Sequence, residues 1–574
     1  MSSAAMSNAT MSNATLLVEL RTEELPPKAL QRLGEAFANG VMAGLRSRNL
    51  LGDGAIASAF STPRRLAVQI TPVLAIAADQ PLIERLMPAS VGLDGDGKPT
   101  AALIKKLAAK NLSHLDPSAL SRESDGKADQ LVYRSMARGH TLASGLQLAL
   151  DEAIHALPIP KKMSYQLADG QTTVNFVRPA HGLVALHGRD VVAVSLLGLS
   201  AGRNTKGHRF QSDGDIALAT AGDYEAMLES SGRVIVSFES RRAEIDRQLR
   251  SSAAELGASL GDEANIAPLL DEVTALVEFP AVYLGRFEAE FLAVPPECLI
   301  VTMRQNQKYF PLFDTSGKLL NAFLIVSNMK VADPKNIVEG NQRVVRPRLA
   351  DARFFFDTDR KTRLADRIQR LGAVVYHHKL GNQLQRTDRV RALTRSIAAE
   401  IGADAQLADR AALCAKADLL TSMVGEFPAL QGIMGRYYAL ADGEDAQVAS
   451  AIEQHYKPRF AGDSLPDSVI GLSVALADKL ERDSPTLSES QRAARQKQLV
   501  DQDRDFQRKR REFQEDLNAR KNEELQLVLE RANRVVKQVA EAEKYDLVLQ
   551  DAVYINPKHD IPDKVIKALN AGAK

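Results

Sequence analysis

Ser473–Gln514 reads "SVALADKLERDSPTLSESQRAARQKQLVDQDRDFQRKRREFQ". Through Leu480 it is rich in Ala and Leu, like the end of a packed helix. Past Pro485 apolar residues almost vanish and the charges alternate. Downstream, Leu499, Phe506 and Phe513 fall seven apart, and Leu517 follows four later. Leu525, Val528, Ala532, Val535, Val539 and Ala542 then step by threes and fours, after one eight-residue skip. That is a heptad stripe. A stripe so narrow on so charged a helix forms no core alone and calls for a partner helix. The junction therefore separates a globular body from a segment suited to helix–helix association. After it, "YDLVLQDAVYIN" is expected to be a strand and "DKVIKALN" a short helix.

Upstream of the junction, residues 335–480 carry helical periodicity throughout. Helices are expected in "NIVEGNQRVVRPRLADARFFFDTDRKTRLADRIQRL", "QRTDRVRALTRSIAAEIG", "QLADRAALCAKADLLTSMV" and "DSVIGLSVALADKL". Residues 15–334 mix the two periods. "TLLVEL" alternates as a strand, and an amphipathic helix follows Pro26 and Pro27, which suit a helix start. "AFSTPRRLAVQI" reads as one strand with Pro63 near its beginning. "VNFVRPAHGLVALHG", "VVAVSLLG", "RVIVSF" and "KLLNAFLIVSN" add strand signals, and "AALIKKLAAK" a helix. The expected class is an α+β multi-domain body over 15–334, an all-α domain over 335–481, and a coiled-coil tail over 482–574 with a short strand and helix.

At 574 residues the chain exceeds what one core serves, and three or four domains would be ordinary. Hydrophobic content of 45% and charged content of 25% are those of a soluble globular protein. A net charge of +1 excludes a global basic field, so any nucleic-acid contact must come from local patches. Cys298 and Cys414 lack metal-type spacing and read as buried, reduced thiols. Residues 1–14, with "MSNAT" repeated, lack a basic and apolar signal pattern and read as a disordered leader. No run approaches the roughly 18 apolar residues of a membrane span. These points imply a cytoplasmic protein.

Nucleotide motifs are missing: neither G-x-x-x-x-G-K-[ST] nor a G-x-G-x-x-G turn occurs. "KKMSYQ" (Lys161–Gln166) is a partial Lys-Met-Ser loop without the His-containing motif that accompanies it in class I synthetases. His377 and His378 invite a metal-phosphohydrolase reading of the helical region. Such a site needs a His-Asp pair and a further acid to hold cations while leaving positions for water. Here "CAKADLL" puts Ala417 in the His place beside Asp418, and Asp478 in "ALADKL" would be the last acid. Without that imidazole the metal would be under-liganded.

The basic constellation in 340–361 has two readings. Arg343, Arg346, Arg348 and Arg353 beside Phe354–Phe356 could hold phosphates and stack bases. Alternatively the phenylalanines plug a core and the arginines pair with Asp351, Asp357 and Asp359. Arg64 and Arg65 in "TPRRL", and Arg304 and Lys308 in "MRQNQKYF", are shorter versions of the same pattern.

Ten blocks, in order, resemble the bacterial glycine–tRNA ligase beta subunit. They include "TLLVELRTEELPPKAL" (15–30), "TPRRLAV" (62–68), "PASVGLDGDGKPTAAL" (88–103), "NFVRPAHGLVAL" (175–186) and "GHRF" (207–210). The series continues with "LLDEVTALVEFPAVYLGRF" (269–287), "MRQNQKYFPLFD" (303–314), "GNQRVVRPRLADARFFFDTD" (340–359), "KLGNQLQRTDRV" (379–390) and "KADLLTSMVGEFPALQGIMGRYYA" (416–439). The resemblance spans about 15–481 and implies one half of an α2β2 enzyme that charges tRNA(Gly) with glycine. It places ATP, with Mg, on the alpha subunit and assigns no cofactor and no catalytic residue to this chain. It implies a degenerate HD-like helical domain, marked by Ala417, Asp418 and Asp478. It also favours RNA contact by Arg343, Arg346, Arg348 and Arg353, with Arg64, Arg65, Arg304 and Lys308 as further candidates. The alpha subunit and tRNA(Gly) are the implied partners.

Residues 486–572 resemble instead the later part of the Skp/OmpH periplasmic chaperones, through "DRDFQRKRREFQEDLNARKNEELQ", "VLERANRVVKQVAEAEKYDLVLQDAVYINP" and "DKVIKALN". That implies coiled-coil self-association of the tail. Beta subunits normally continue into an anticodon-binding domain at this point, and the chaperone's front half is missing. A gene fusion, a deletion joining two genes, or an assembly error in the sequence would each give this join. Two rival readings remain: a coiled-coil, chaperone-like interaction protein, and an HD-type metal phosphohydrolase.

Overall fold

The computed structural model describes residues 13–545 except 95, 111, 113–114, 117–118, 125–128, 379 and 484–488; beyond 545 it describes 548, 562, 565 and 566. Residues 1–12 of the expected leader lie outside the described residues. So do the strand expected in "YDLVLQDAVYIN" and the helix expected in "DKVIKALN", apart from single positions. The chain divides into two compact units: Met1–Asp366 with Asp418–Ala441, and Arg367–Ala417 with Asp442–Lys574. The change to helical periodicity at residue 335 thus falls inside the first unit.

The first unit opens with β1 (Asn13–Thr22), α1 (Leu30–Arg46), β2 (Leu51–Thr62) and β3 (Arg65–Leu74). With β4 (Ala180–His187) and β5 (Asp190–Val191) they form an antiparallel sheet in the order β5-β4-β1-β3-β2. Strand period 2 divides β1 between its faces. Leu16, Val18 and Leu20 point to a core shared with α1 residues Leu33, Phe37 and Val41 and with α2 (Leu142–Ala156) residues Leu146 and Leu150. Each such burial is worth about 1.5–3 kcal/mol. Leu17 belongs to a second core on the other face, with Val184, Leu186, Tyr224 and Leu228. Glu19 and Arg21 alternate with Leu17 and so share its face. The helices approach closely: a Cβ on Gly44 would lie 2.5 Å from the Ala149 Cβ.

The single strand expected in "AFSTPRRLAVQI" is a hairpin: Pro63 and Arg64 make the turn between β2 and β3, with Thr62 paired to Arg65. A proline with no N–H to donate fits that turn better than a ladder. "RVIVSF" is not a strand either. Val234 and Val236 are buried alternately, yet the amides of Val234 and Ile235 bond to Leu228 and Glu278 carbonyls rather than to a ladder. "VVAVSLLG" contributes only two-residue strands.

A small sheet (Gln80–Pro88, Asp129–Ala137, Ser121–Ser124) packs with helix Ala101–Ala109 around Leu86, Leu103 and Leu131. Further on, α3 (Phe238–Glu255) and α4 (Glu263–Thr274) cover a sheet of β6 (Ala281–Arg286), β7 (Phe310–Phe313) and β8 (Leu319–Ser327). Arg241 on α3 is fully buried. Its guanidinium donates to the Ser61, Thr274 and Ile235 carbonyls, and burial lowers its pKa to about 10. Helix α5 (Lys335–Asp359) follows, burying Val345, Leu349 and Ala352.

The second unit packs α6 (Gln383–Glu400) against α7 (Ala405–Cys414) and α9 (Val469–Asp483), with α8 (Ala446–Gln454) against α7 and α9. Its last helix, α10 (Glu489–Glu543), has 55 residues and is about 80 Å long. This is the expected class in its coarse form: a mixed body with a helical C-terminal part. Cys298 and Cys414 are free and buried, and burial pushes the Cys414 thiol up to about 11.

On α10, Leu517, Leu525 and Val528 are exposed at 49%, 58% and 60%. The side chains of Leu499, Phe506 and Phe513 lie outside the described residues. A helix with its stripe exposed lends the body little stability. Deleting residues 489–574 is therefore expected to shift the calorimetric midpoint of the body by less than about 2 °C. A larger drop would show that the tail is a structural part of it.

Candidate nucleic-acid interface

Register places the site. Arg21 on β1 faces Arg65 on β3 and Gly182 on β4, and Glu19 faces Ala67 and Val184. Arg21 lies over Gly182, where a Cβ would be 2.4 Å from Nη2 and would displace the guanidinium.

Beneath the surface Glu19 is fully buried. It accepts from Thr205 Oγ1 at 2.5 Å, Tyr224 OH at 2.6 Å and Arg65 Nη1 at 3.3 Å. Arg65 Nε lies 3.4 Å from Glu278, which also accepts from Thr62 Oγ1 at 2.6 Å, and Arg65 Nη2 donates to the Lys206 carbonyl. Burial opposes the Arg65 charge, but the Glu278 and Glu19 carboxylates outweigh it and raise its pKa above the ordinary guanidinium value. The Tyr224 phenol is pushed well up by burial and then by Glu19. This largely hydrogen-bonded cluster, with Arg65 Nε held only by the Glu278 charge, is a floor that fixes three strands.

Above the floor opens a cleft of about 450 Å³. Arg21, Arg64, Arg65, Lys206 and Arg209 line it, with His181 and His208, against Glu23 and Glu278. Some of these groups are engaged: Arg21 with Glu19 at 3.9 Å, Arg64 with Glu24 at 2.9 Å, His181 with Glu23 at 3.0 Å, Lys206 with Asp215 at 3.6 Å. Arg209 is exposed and forms no ion pair among the described residues. A concave surface with this excess of cations suits an anion.

Of the arginines singled out from the sequence, Arg64 and Arg65 meet in this cleft, and Arg65 is structural. Arg343 and Arg348 are exposed on α5 without an ion-pair partner among the described residues. Arg346 pairs with Glu288 at 2.6 Å, and Arg353 with Glu290 at 2.8 Å and Asp357 at 3.8 Å. The segment is divided between exposed and packed aromatics. Phe354 is 64% exposed, whereas Phe356 stacks on Tyr438 and Asp359 accepts from the Ser422 and Met423 amides and Tyr438 OH. Arg304 and Lys308 do not line the cleft. Burial lowers the Arg304 pKa, and Lys308 pairs with Glu272 at 3.0 Å.

Ala417 is buried, and Asp418 accepts from the Gly432 and Gly435 amides. Asp478, in the second unit, lies 3.0 Å from Arg386 and 3.5 Å from Lys416. Burial pushes its carboxyl up, but Lys416 and Arg386 prevail and hold it below the usual range. Amines thus sit where a cation would. The rings of exposed His377 and His378 lie 4.4 Å apart, tilted by 34°. Among the described residues no three His, Cys, Asp or Glu are grouped to hold a metal.

Sequence reasoning passed over Glu19, Arg21, Lys206, His208 and Tyr224. The signal for Glu19 was available: an acid inside "LLVEL" has to be paired if the strand is central.

Two family matches divide the chain. Residues 16–483 match the family described as glycyl-tRNA synthetase beta subunit, and residues 474–569 one described as outer membrane protein (OmpH-like). Among similar proteins, the glycine–tRNA ligase beta subunit of Janthinobacterium sp. (strain Marseille) is 58% identical over 470 residues, covering 81% of this chain and 67% of its own length. The beta subunit of Dechloromonas aromatica (strain RCB) is 57% identical over 481 residues, with the same coverage. That of Delftia acidovorans is 58% identical over 474 residues.

Proposed function

Because the chain belongs to the glycyl-tRNA synthetase beta subunit family, we propose that it holds tRNA(Gly) for an active site carried by a separate alpha subunit. It is a ligase subunit of glycyl-tRNA synthesis. In the proposed division of labour the alpha subunit binds ATP with Mg and forms glycyl-adenylate in a cytoplasmic α2β2 assembly. This chain supplies RNA contacts and assembly surfaces. The match over residues 16–483 carries the reading. The cationic cleft and the absence of a phosphate-cradling motif in the sequence agree with it. Helices α6–α9 are read as an HD-like scaffold in which Lys416 and Arg386 neutralise Asp478.

The deciding experiment compares this chain, its alpha subunit and the mixture for glycylation of tRNA(Gly). Charging by the mixture alone supports the proposal. Glycyl-adenylate formed by this chain alone would overturn it.

On α5, Arg346→Ala with Arg348→Ala should weaken tRNA binding. It should also flatten the slope of log K against log salt by about 1–2, as loss of one or two phosphate contacts requires. An unchanged slope removes this helix from the interface.

A second reading applies to the tail alone: the exposed Leu517, Leu525 and Val528 stripe pairs with the same helix of another copy. Sedimentation of the full chain beside a chain ending at residue 483 decides it. Association by both, or by neither, excludes the tail as the cause.

A further inference from the structure

The cleft contains a donor that the protein itself leaves unused. His208 is 1% exposed. Its Nδ1 accepts the Phe210 amide at 3.2 Å, so the ring proton sits on Nε2. Among the described residues that buried Nε2 has no hydrogen-bond partner, and neither has the buried Nε of Arg21, which also lines the cleft and lies 3.9 Å from Glu19 Oε1. Unsatisfied buried donors cost about 1–3 kcal/mol each unless something accepts from them. Two of them among cations point to an acceptor with several oxygens and negative charge, which is a phosphate.

The segment "GHRF" (207–210) is built to present this donor. A Cβ on Gly207 would lie 2.4 Å from the Gly232 carbonyl oxygen, so glycine lets the His208 amide reach that turn carbonyl at 2.6 Å. Phe210, next to the lining residues, is 71% exposed, with the Arg209 guanidinium 5.9 Å from its ring centre. An aromatic face held in solvent beside a cation is a platform for a base. The size also discriminates. About 450 Å³ lies in the range of small-ligand sites, roughly 300–1,000 Å³, too confined for a duplex.

We propose that this cleft takes one unpaired nucleotide of an RNA, its phosphate on Arg21, Arg64, Lys206 and His208 Nε2–H and its base on Phe210. The assignment rests on the tRNA-holding reading and refines it: the cleft selects a single-stranded end or a splayed base, not the helical body of the RNA.

The test uses the full chain, a fluorescent single-stranded RNA tetranucleotide, a blunt-ended RNA duplex and tRNA(Gly), followed by anisotropy. Phe210→Ser, which alters an exposed side chain, should weaken tetranucleotide binding about 5- to 100-fold and leave the duplex unchanged, as loss of one stacked base requires. Arg209→Ala and His208→Asn should act in the same direction, the latter judged only if its melting curve is intact. If tRNA(Gly) binds but the tetranucleotide does not, or binds independently of Phe210, the cleft assignment fails while tRNA holding stands. If the tetranucleotide binds through Phe210 and tRNA(Gly) does not bind, the broader reading fails and the cleft stands. Displacement by inorganic phosphate with no dependence on Phe210 would mark a bare phosphate site and overturn the nucleotide assignment.

Discussion

Arg65→Met should destabilise the first unit by about 3–5 kcal/mol, the range for removing one partner of a buried ion pair. Methionine nearly fills the volume, so the loss isolates charge and hydrogen bonding. Glu19 would keep its Thr205 and Tyr224 donors but only Arg21, at 3.9 Å, as a cation, and Glu278 would keep Thr62. Two buried carboxylates would then be left with a weaker counter-charge, Arg21 beside Glu19. Adding Glu19→Gln and Glu278→Gln to Arg65→Met should restore stability non-additively. The chain has no tryptophan, so far-UV circular dichroism in urea, with hydrogen exchange at β1 amides, is the appropriate readout. A loss below about 1 kcal/mol would mean that the cluster is not the sheet's electrostatic anchor.

How much of this was legible beforehand depends on the range of the interaction. The periodicities in "TLLVEL", "AALIKKLAAK" and "KLLNAFLIVSN" report local burial, and the structure has those elements. "AFSTPRRLAVQI" misled because apolar content continues through a turn; the constraint is Pro63, whose missing N–H ends a ladder. "RVIVSF" has strand burial without strand pairing, because its amides are claimed by Leu228 and Glu278. The cleft was half visible. Arg64 and Arg65 were singled out by charge, but Arg21, Lys206 and His208 come from segments up to about 190 residues apart, brought together only by β1 lying between β3 and β4. That Lys416 would reach Asp478 is a tertiary fact with no local signature.

That same helical unit should be acid-sensitive well above the carboxylate range. His455 is fully buried on the segment after α8; its Nδ1–H donates to the Ile452 carbonyl at 2.6 Å, and Nε2 has no partner. Burial lowers its pKa to about 3, with Lys416 and then Arg386 adding to the effect and Asp478 opposing it. In the unfolded chain a histidine titrates near 6.5. Below that value the unfolded state takes up a proton that the folded state refuses, so stability falls with pH from about 6.5 toward 3. The loss approaches about 1.4 kcal/mol per pH unit, or about 2 kcal/mol between pH 6.5 and 5. Asp478 acts in the same direction only below its own unfolded value near 4, since its folded pKa is depressed. The interval from pH 7.5 to 5 therefore separates the two. His455→Gln should lower stability at pH 7.5 yet show a shallower fall down to pH 5 than the parent in urea titrations of the second unit. Equal slopes would mean that the His455 ring is protonated within the fold, with Asp478 accepting its charge.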